Sequence, residues 1–177
     1  MRVLIVGGGA REHALAWKLS RSPLAEELYA APGNPGIAAL ASCVPIRPDA
    51  VVELAEFAQS LKIDLTVVGP ELPLVLGIAD EFARRGLALC GPSRAAAELE
   101  GSKVFTKELC QRHGIPTAEA RVVHDRDGAA RAIRELGLPV VLKADGLAAG
   151  KGVIVCRTRA DAESALVRFF EEKVFGA

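Results

Sequence analysis

Arg2–Leu19 reads RVLIVGGGAREHALAWKL. Arg2–Val6 is a short, largely β-branched run that stops at Gly7-Gly8-Gly9. A run apolar on both faces suits a central strand of a parallel sheet. Glu12–Ser20 then follows helical spacing, with Leu15 and Leu19 four apart and Ala14 and Trp17 beside them. Strand, glycine turn and helix in that order set a helix N-terminus over the turn, which makes an anion site. The turn approaches the G-x-G-x-x-G dinucleotide fingerprint, but Glu12 replaces the third glycine. The next strand, Glu27–Ala31, ends in Ala-Ala-Pro and lacks the acidic residue that would hold an adenosine ribose. A nicotinamide or flavin dinucleotide is therefore disfavoured. A phosphate or phosphosugar remains open, with Arg11 and His13 as available donors.

The same alternation continues downstream. Pro32-Gly33-Asn34-Pro35-Gly36 is a turn by its residue types. Asp49–Leu61 carries the apolar stripe of a helix through Val52, Leu54, Ala55, Ala58 and Leu61. Leu65–Val68 reads as a strand closed by Gly69-Pro70-Glu71, Leu74–Arg85 as a helix ended by Gly86, and Leu87–Cys90 as a fourth strand followed by Gly91-Pro92. Alternating elements of this kind call for a doubly wound parallel sheet with helices on both faces. Ligands of such sheets bind at the carboxyl edge of the strands. Gly33, Asn34 and Glu71 all fall there, and the Glu71 carboxylate suits a sugar diol or is simply a helix N-terminal acid or a solvated loop acid.

Ser93–Glu100 and Ser102–His113 read as two helices broken at Gly101, with Ser102 as N-cap. Lys103 is an unusual first-turn cation, since the helix dipole favours anions there. From about Ala118 a second pattern begins: strand Ala120–Val123, helix Gly128–Leu136, strand Val140–Ala144, a loop, strand Val153–Cys156 and a last helix opened by a capping box, Thr158 to Asp161. The loop between the two last strands is rich in Gly and Ala and carries Asp145, Gly146, Ala148, Ala149, Gly150, Lys151 and Gly152, with Lys143 just before it. Glycine lets backbone N–H groups approach an oxyanion, and lysines add charge, so this is the form of a phosphate-covering flap. A plain hairpin turn is shorter, about 2–5 residues. The pattern leaves a small sheet one strand short.

Composition sets the outer limits. Half of the 177 residues are hydrophobic, a quarter are charged, and the net charge is zero. Nothing here points to a nucleic-acid or membrane surface. No apolar run approaches the roughly 20 residues of a membrane span, and MRVLIVGGGAREH reads as a buried strand, not a signal peptide. Cys43, Cys90, Cys110 and Cys156 are far apart with no C-x-x-C pair, which speaks for small buried free thiols in a reducing cytoplasm and against zinc.

Taken in order, VLIVGGGAREHALAWKL (Val3–Leu19), APGN (Ala31–Asn34), IDLTVVGPELPLVLG (Ile63–Gly77), GPS (Gly91–Ser93), LEGSKVFTK (Leu99–Lys107) and KADGLAAGKGVIV (Lys143–Val155) span the chain. Together they resemble the glycinamide ribonucleotide synthetase family of the ATP-grasp ligases. The resemblance implies a Rossmann-like, doubly wound α/β domain (the pre-ATP-grasp domain, 1–92), a helical connection (93–117) and an incomplete α+β ATP-grasp lobe (118–177). It implies ATP-dependent joining of 5-phosphoribosylamine to glycine through glycyl phosphate in purine biosynthesis, with magnesium, in the cytoplasm. It places the phosphoribosylamine site on Gly9, Ala10, Arg11, Glu12, His13, Gly33, Asn34, Gly69, Pro70 and Glu71. It places ATP on Lys103, Lys143, Asp145, Gly146, Leu147, Ala148, Ala149, Gly150, Lys151 and Gly152. Ala10 stands where the family has glycine, the smallest available change and an expected tolerated one. Family members are more than twice this length. The magnesium ligands and the glycine pocket are expected in a C-terminal part, which is also the expected partner, and the chain alone is expected to be inactive. The resemblance assigns no metal ligand to this stretch.

The rival readings are another ATP-grasp ligase of the same pathway, a non-catalytic binding module or split-enzyme half, and, weakest, a nicotinamide-dependent dehydrogenase. The REHALAWKL and LEGSK strings favour the first family.

Overall fold

The computed structural model describes residues 1–147 and 152–175. The chain divides into two compact units, with the boundary between Gly101 and Ser102. That boundary lies inside the 93–117 segment expected as a connection.

The first unit runs β1 (Arg2–Gly7), α1 (Ala10–Leu19), β2 (Glu27–Pro32), a 3₁₀ turn (Ile37–Ala39), β3 (Ser42–Cys43), α2 (Val51–Ser60), β4 (Leu65–Val68), α3 (Glu71–Val75), α4 (Ile78–Arg84), β5 (Leu89–Cys90) and α5 (Arg94–Gly101). Its sheet has the order β3-β2-β1-β4-β5 with every pair parallel. β1 is central and its side chains alternate between two cores. Leu4 and Val6 join Leu54, Ala55, Ala58, Ile78 and Phe82, while Ile5 joins Ala16, Ala30 and Ile37. Helices thus cover both faces, which is why β1 is apolar without alternation.

Two expectations for this unit are corrected. Leu74–Arg85 is not one helix: α3 and α4 are separated at Gly77, whose φ of +90° breaks the helical ladder. Glu71 is the first residue of α3, the helix N-terminal acid of one of the readings above. A fifth strand, β3, pairs only Ser42 and Cys43 with β2, too short to show a periodic pattern. The cysteines also differ from expectation. All four are free, but Cys43 and Cys90 are exposed at the ends of the outer strands and only Cys156 is buried.

The second unit runs α6 (Lys103–Arg112), α7 (Arg126–Leu136), β6 (Val140–Lys143), β7 (Val153–Cys156) and α8 (Arg159–Leu166), which passes into a π turn at Val167–Glu171. β6 and β7 form an antiparallel hairpin. Val140, Leu142, Ile154 and Cys156 share one face of it and pack with Ala162, Ala165 and Ile133. Val141, Val153 and Val155 lie on the other face and are exposed. The Thr158–Asp161 capping box is formed at the start of α8. The strand expected at Ala120–Val123 is absent; β6 and β7 pair only with each other among the described residues, so that segment has no ladder to join. Among the described residues no helix is long and apolar enough to cross a membrane.

Thr66 is fully buried in β4, opposite Leu4, and its hydroxyl has no hydrogen-bond partner among the described residues. An unpartnered buried hydroxyl destabilises the fold. Thr66→Val is expected to raise the unfolding free energy by about 1 kcal/mol in urea titrations; a loss of stability would show that the hydroxyl is satisfied.

Candidate functional site

The first unit's site is its carboxyl edge. The strand pairing continues into the turns: Gly33 N–H donates to Gly7 O at 3.1 Å and Gly69 N–H donates to Val6 O at 3.0 Å. Three turns are therefore held side by side. Gly8 and Gly33 touch there, since a Cβ on Gly8 would lie 2.4 Å from Gly33 O. Asn34 ties the edge together: its Nδ2 donates to Gly8 O and its Oδ1 accepts from Ile37 N–H, each at 2.9 Å.

Arg11, in the first turn of α1, donates from Nη1 to Gly69 O at 2.6 Å and to Glu71 Oε1 at 2.9 Å. The N–H of Glu71 itself, and then the Arg11 guanidinium, hold the Glu71 carboxyl below the usual carboxylate range. Both side chains keep solvent access, so a ligand can reach them. Glu12 does not face that surface. It is 5% exposed, and its Oε2 accepts from Gly9 N–H at 2.5 Å. His13 is half-buried and its ring lies against Gly36, where a Cβ would come within 2.4 Å of Cε1. Ala10 opens α1 without a positive φ, a backbone any residue adopts, and Pro70 is the N-cap of α3. The structure thus gathers Gly9, Arg11, Gly33, Asn34, Gly69 and Glu71 at one edge.

In the second unit the start of α6 and the start of the glycine-rich loop are joined. Ser102 Oγ accepts from Phe105 N–H at 3.0 Å, the N-cap expected from its residue type. Asp145 adds a second cap from 42 residues away: Oδ1 accepts from Lys103 N–H at 2.6 Å and from Val104 N–H at 3.2 Å. Ser102 Oγ also donates to Asp145 Oδ2 at 3.0 Å. Burial pushes the Asp145 carboxyl up, but the N–H groups of Val104, Gly146 and Lys103 and the Ser102 hydroxyl outweigh it, and its pKa is lowered. Lys103 Nζ donates to Gly146 O at 2.7 Å. The first-turn cation therefore has a carbonyl partner and a neighbouring carboxylate that offset its unfavourable position on the helix dipole.

Lys143 is exposed, with no hydrogen-bond or ion-pair partner among the described residues, and shares the open hairpin face with Val141, Val153 and Val155. Gly146 has a φ of +84°, Leu147 is exposed and Gly152 is buried, its carbonyl accepting from Ala144 N–H at 2.8 Å. Ala148, Ala149, Gly150 and Lys151 lie outside the described residues. Among the described residues no group of three or more His, Cys, Asp or Glu is placed to hold a metal ion. Sequence reasoning missed the Arg11 tie to Gly69 and the Asp145 cap, because both join residues distant in the chain and neither leaves a local pattern.

Comparison with known proteins shows the family. Residues 1–100 match the profile of the phosphoribosylglycinamide synthetase N domain, and residues 101–177 that of the phosphoribosylglycinamide synthetase ATP-grasp (A) domain. The chain belongs to this family. It is 55% identical over 177 residues to a phosphoribosylamine–glycine ligase of Brucella melitensis, covering all of this chain and 41% of that one. A Yersinia pestis protein of the same name is 51% identical over 178 residues, covering 99% and 42%. The solved phosphoribosylamine–glycine ligase of Thermotoga maritima superposes with a TM-score of 0.72 at 29% identity, over 96% of this chain and 38% of that one. The chain thus spans about two-fifths of the length of these relatives.

The Asp145 cap has a pH signature. Its pKa is lower folded than unfolded, so its stabilisation is present above the ordinary carboxylate range and lost as pH falls through it toward the folded value. Asp145→Ala is expected to cost about 1 kcal/mol at neutral pH, the usual value of a helix cap. The stability gap between the native chain and Asp145→Asn should shrink as denaturation is repeated from pH 6 down to about 3; a gap independent of pH would remove Asp145 from the cap.

Proposed function

We propose that this chain serves the reaction of a phosphoribosylamine–glycine ligase, joining glycine to 5-phosphoribosylamine at the expense of ATP in purine biosynthesis. The observation that carries the reading is the carboxyl edge, where a cation, a carboxylate and an amide from three separate turns are brought together. A phosphorylated sugar needs such a mixed set: Arg11 suits the phosphate and Glu71 suits ribose hydroxyls. Asn34 keeps the turns in register, and Gly9, Ala10, Gly33, Gly69 and Pro70 supply backbone close to the ligand. His13 is a neighbouring donor.

The second unit would receive the nucleotide. The open face of Val141, Val153 and Val155 suits a flat purine ring, and Lys143 beside it, without a partner among the described residues, suits the phosphates. ATP, when bound, supplies the phosphoryl group that activates the carboxylate of glycine. Lys143, and Lys103 held at the loop, would neutralise phosphate charge, which is the main demand of phosphoryl transfer. Gly146, Leu147 and Gly152 frame the loop, and Asp145 anchors it instead of touching ligand. Among the described residues no group of three or more His, Cys, Asp or Glu side chains would hold magnesium. The metal ligands and the glycine pocket are assigned to the part of the relatives' length that this chain does not match. Free thiols agree with a cytoplasmic setting.

Calorimetry separates the two sites. The chain is expected to bind ribose 5-phosphate, with Arg11→Ala weakening it about tenfold or more. It is expected to bind a non-hydrolysable ATP analogue, with Lys143→Ala weakening that ligand alone by a similar factor. Absence of heat with both ligands would overturn the reading.

A further inference from the structure

Counted from Gly7, Glu12 occupies the third glycine position of G-x-G-x-x-G. A glycine there lets the helix lie close against the strands. Glu12 puts a carboxylate in that space and buries it. The room comes from glycines elsewhere. A Cβ on Gly7 would lie 2.7 Å from Glu12 Cγ, and a Cβ on Gly69 would lie 2.1 Å from Glu12 Oε1. All three atoms nearest to that Gly69 Cβ belong to Glu12. Gly69 has no positive φ, so its backbone does not require glycine; the Glu12 side chain does. The space a side chain at position 69 would take is filled by Glu12.

We infer that Glu12 is a positioning residue of the phosphoribosyl edge. It accepts the Gly9 N–H and fills the space that Gly69 leaves, holding the turn after β1 against the turn after β4. That fixed spacing is what lets Arg11, one residue earlier, reach both Gly69 O and Glu71. A ligand at this edge then meets Arg11, Glu71 and Asn34, and not the Gly9 N–H, which is already taken. The inference rests on the phosphoribosyl reading of the edge, and the test below separates the two.

The 177-residue chain is compared with Glu12→Gln, Glu12→Ala, Gly69→Ala and the Glu12→Ala/Gly69→Ala double variant. Ribose 5-phosphate affinity, exchange of the Gly9 amide by NMR and the thermal midpoint are read for each. Glu12→Gln keeps an acceptor oxygen and should hold affinity within about threefold, whereas Glu12→Ala should lose about tenfold. The Gly9 amide should exchange faster in Glu12→Ala and not in Glu12→Gln. Gly69→Ala should lower the midpoint and the affinity in the presence of Glu12, and should do little further harm once Glu12 is alanine. If Glu12→Ala does not fold, retention by Glu12→Gln together with loss in Gly69→Ala supports the inference. Unchanged affinity in folded Glu12→Ala, an equally protected Gly9 amide, or additive effects of the two substitutions overturns it. If no variant binds ribose 5-phosphate but the Gly9 and Gly69 effects appear, the phosphoribosyl reading fails while Glu12 remains the residue that spaces the turns.

Discussion

The parallel pairing of β1 on both of its edges is the constraint from which the first unit follows. β1 registers with β2 from Arg2 opposite Glu27 to Gly7 opposite Pro32, and with β4 from Val3 opposite Leu65 to Val6 opposite Val68. Strands that point the same way end on the same side, so the turns after β1, β2 and β4 are forced together. The ladder does not stop at the strand ends, because Gly33 and Gly69 each donate one more backbone hydrogen bond to β1. Arg11 and Glu71, 60 residues apart, meet only because of this. The glycines at the edge follow from the same crowding: each side chain that enters it needs a bare backbone opposite.

The second unit solves a related problem with a different device. A helix start leaves N–H groups without partners, and a glycine-rich loop leaves its root loosely held. Asp145 and Ser102 answer both needs at once, since the carboxylate that caps α6 also anchors the loop that follows β6. The hairpin beyond it sorts its side chains by the two-residue period of a strand. One face closes over α7 and α8, and the other stays open with Lys143 on it. The chemistry proposed for each unit is thus carried by groups that packing leaves available, while buried and capped carboxylates serve the frame.

Much of the fold was legible in periodicity. β1, β2, β4, β6 and β7 lie where their apolar runs predict, and α1, α2, α6, α7 and α8 follow their stripes and caps. The misses have physical causes. The Leu74–Arg85 stripe is continuous in hydrophobicity, and only the left-handed conformation of Gly77 reveals the break. β3 is two residues long and exists through pairing with β2, not through any pattern of its own. The Ala120–Val123 run is β-prone, but propensity makes no strand without a neighbour to bond. The order of motifs identified the family, and the profile matches over residues 1–100 and 101–177 agree with it.

Local residue order was sufficient for what depends on near neighbours: the alternation of strand and helix, the glycine turns, and the Ser102 and Thr158 caps. The direction in which each polar side chain points belongs to the folded state. Glu12 and Asp145 read as ligand contacts along the chain, yet Glu12 is buried between two turns and Asp145 is bound to a helix start 42 residues away. The reason is that a carboxylate bonds to whichever N–H groups folding brings within about 3 Å. Those groups are chosen by strand register and helix packing over distances that no local pattern records.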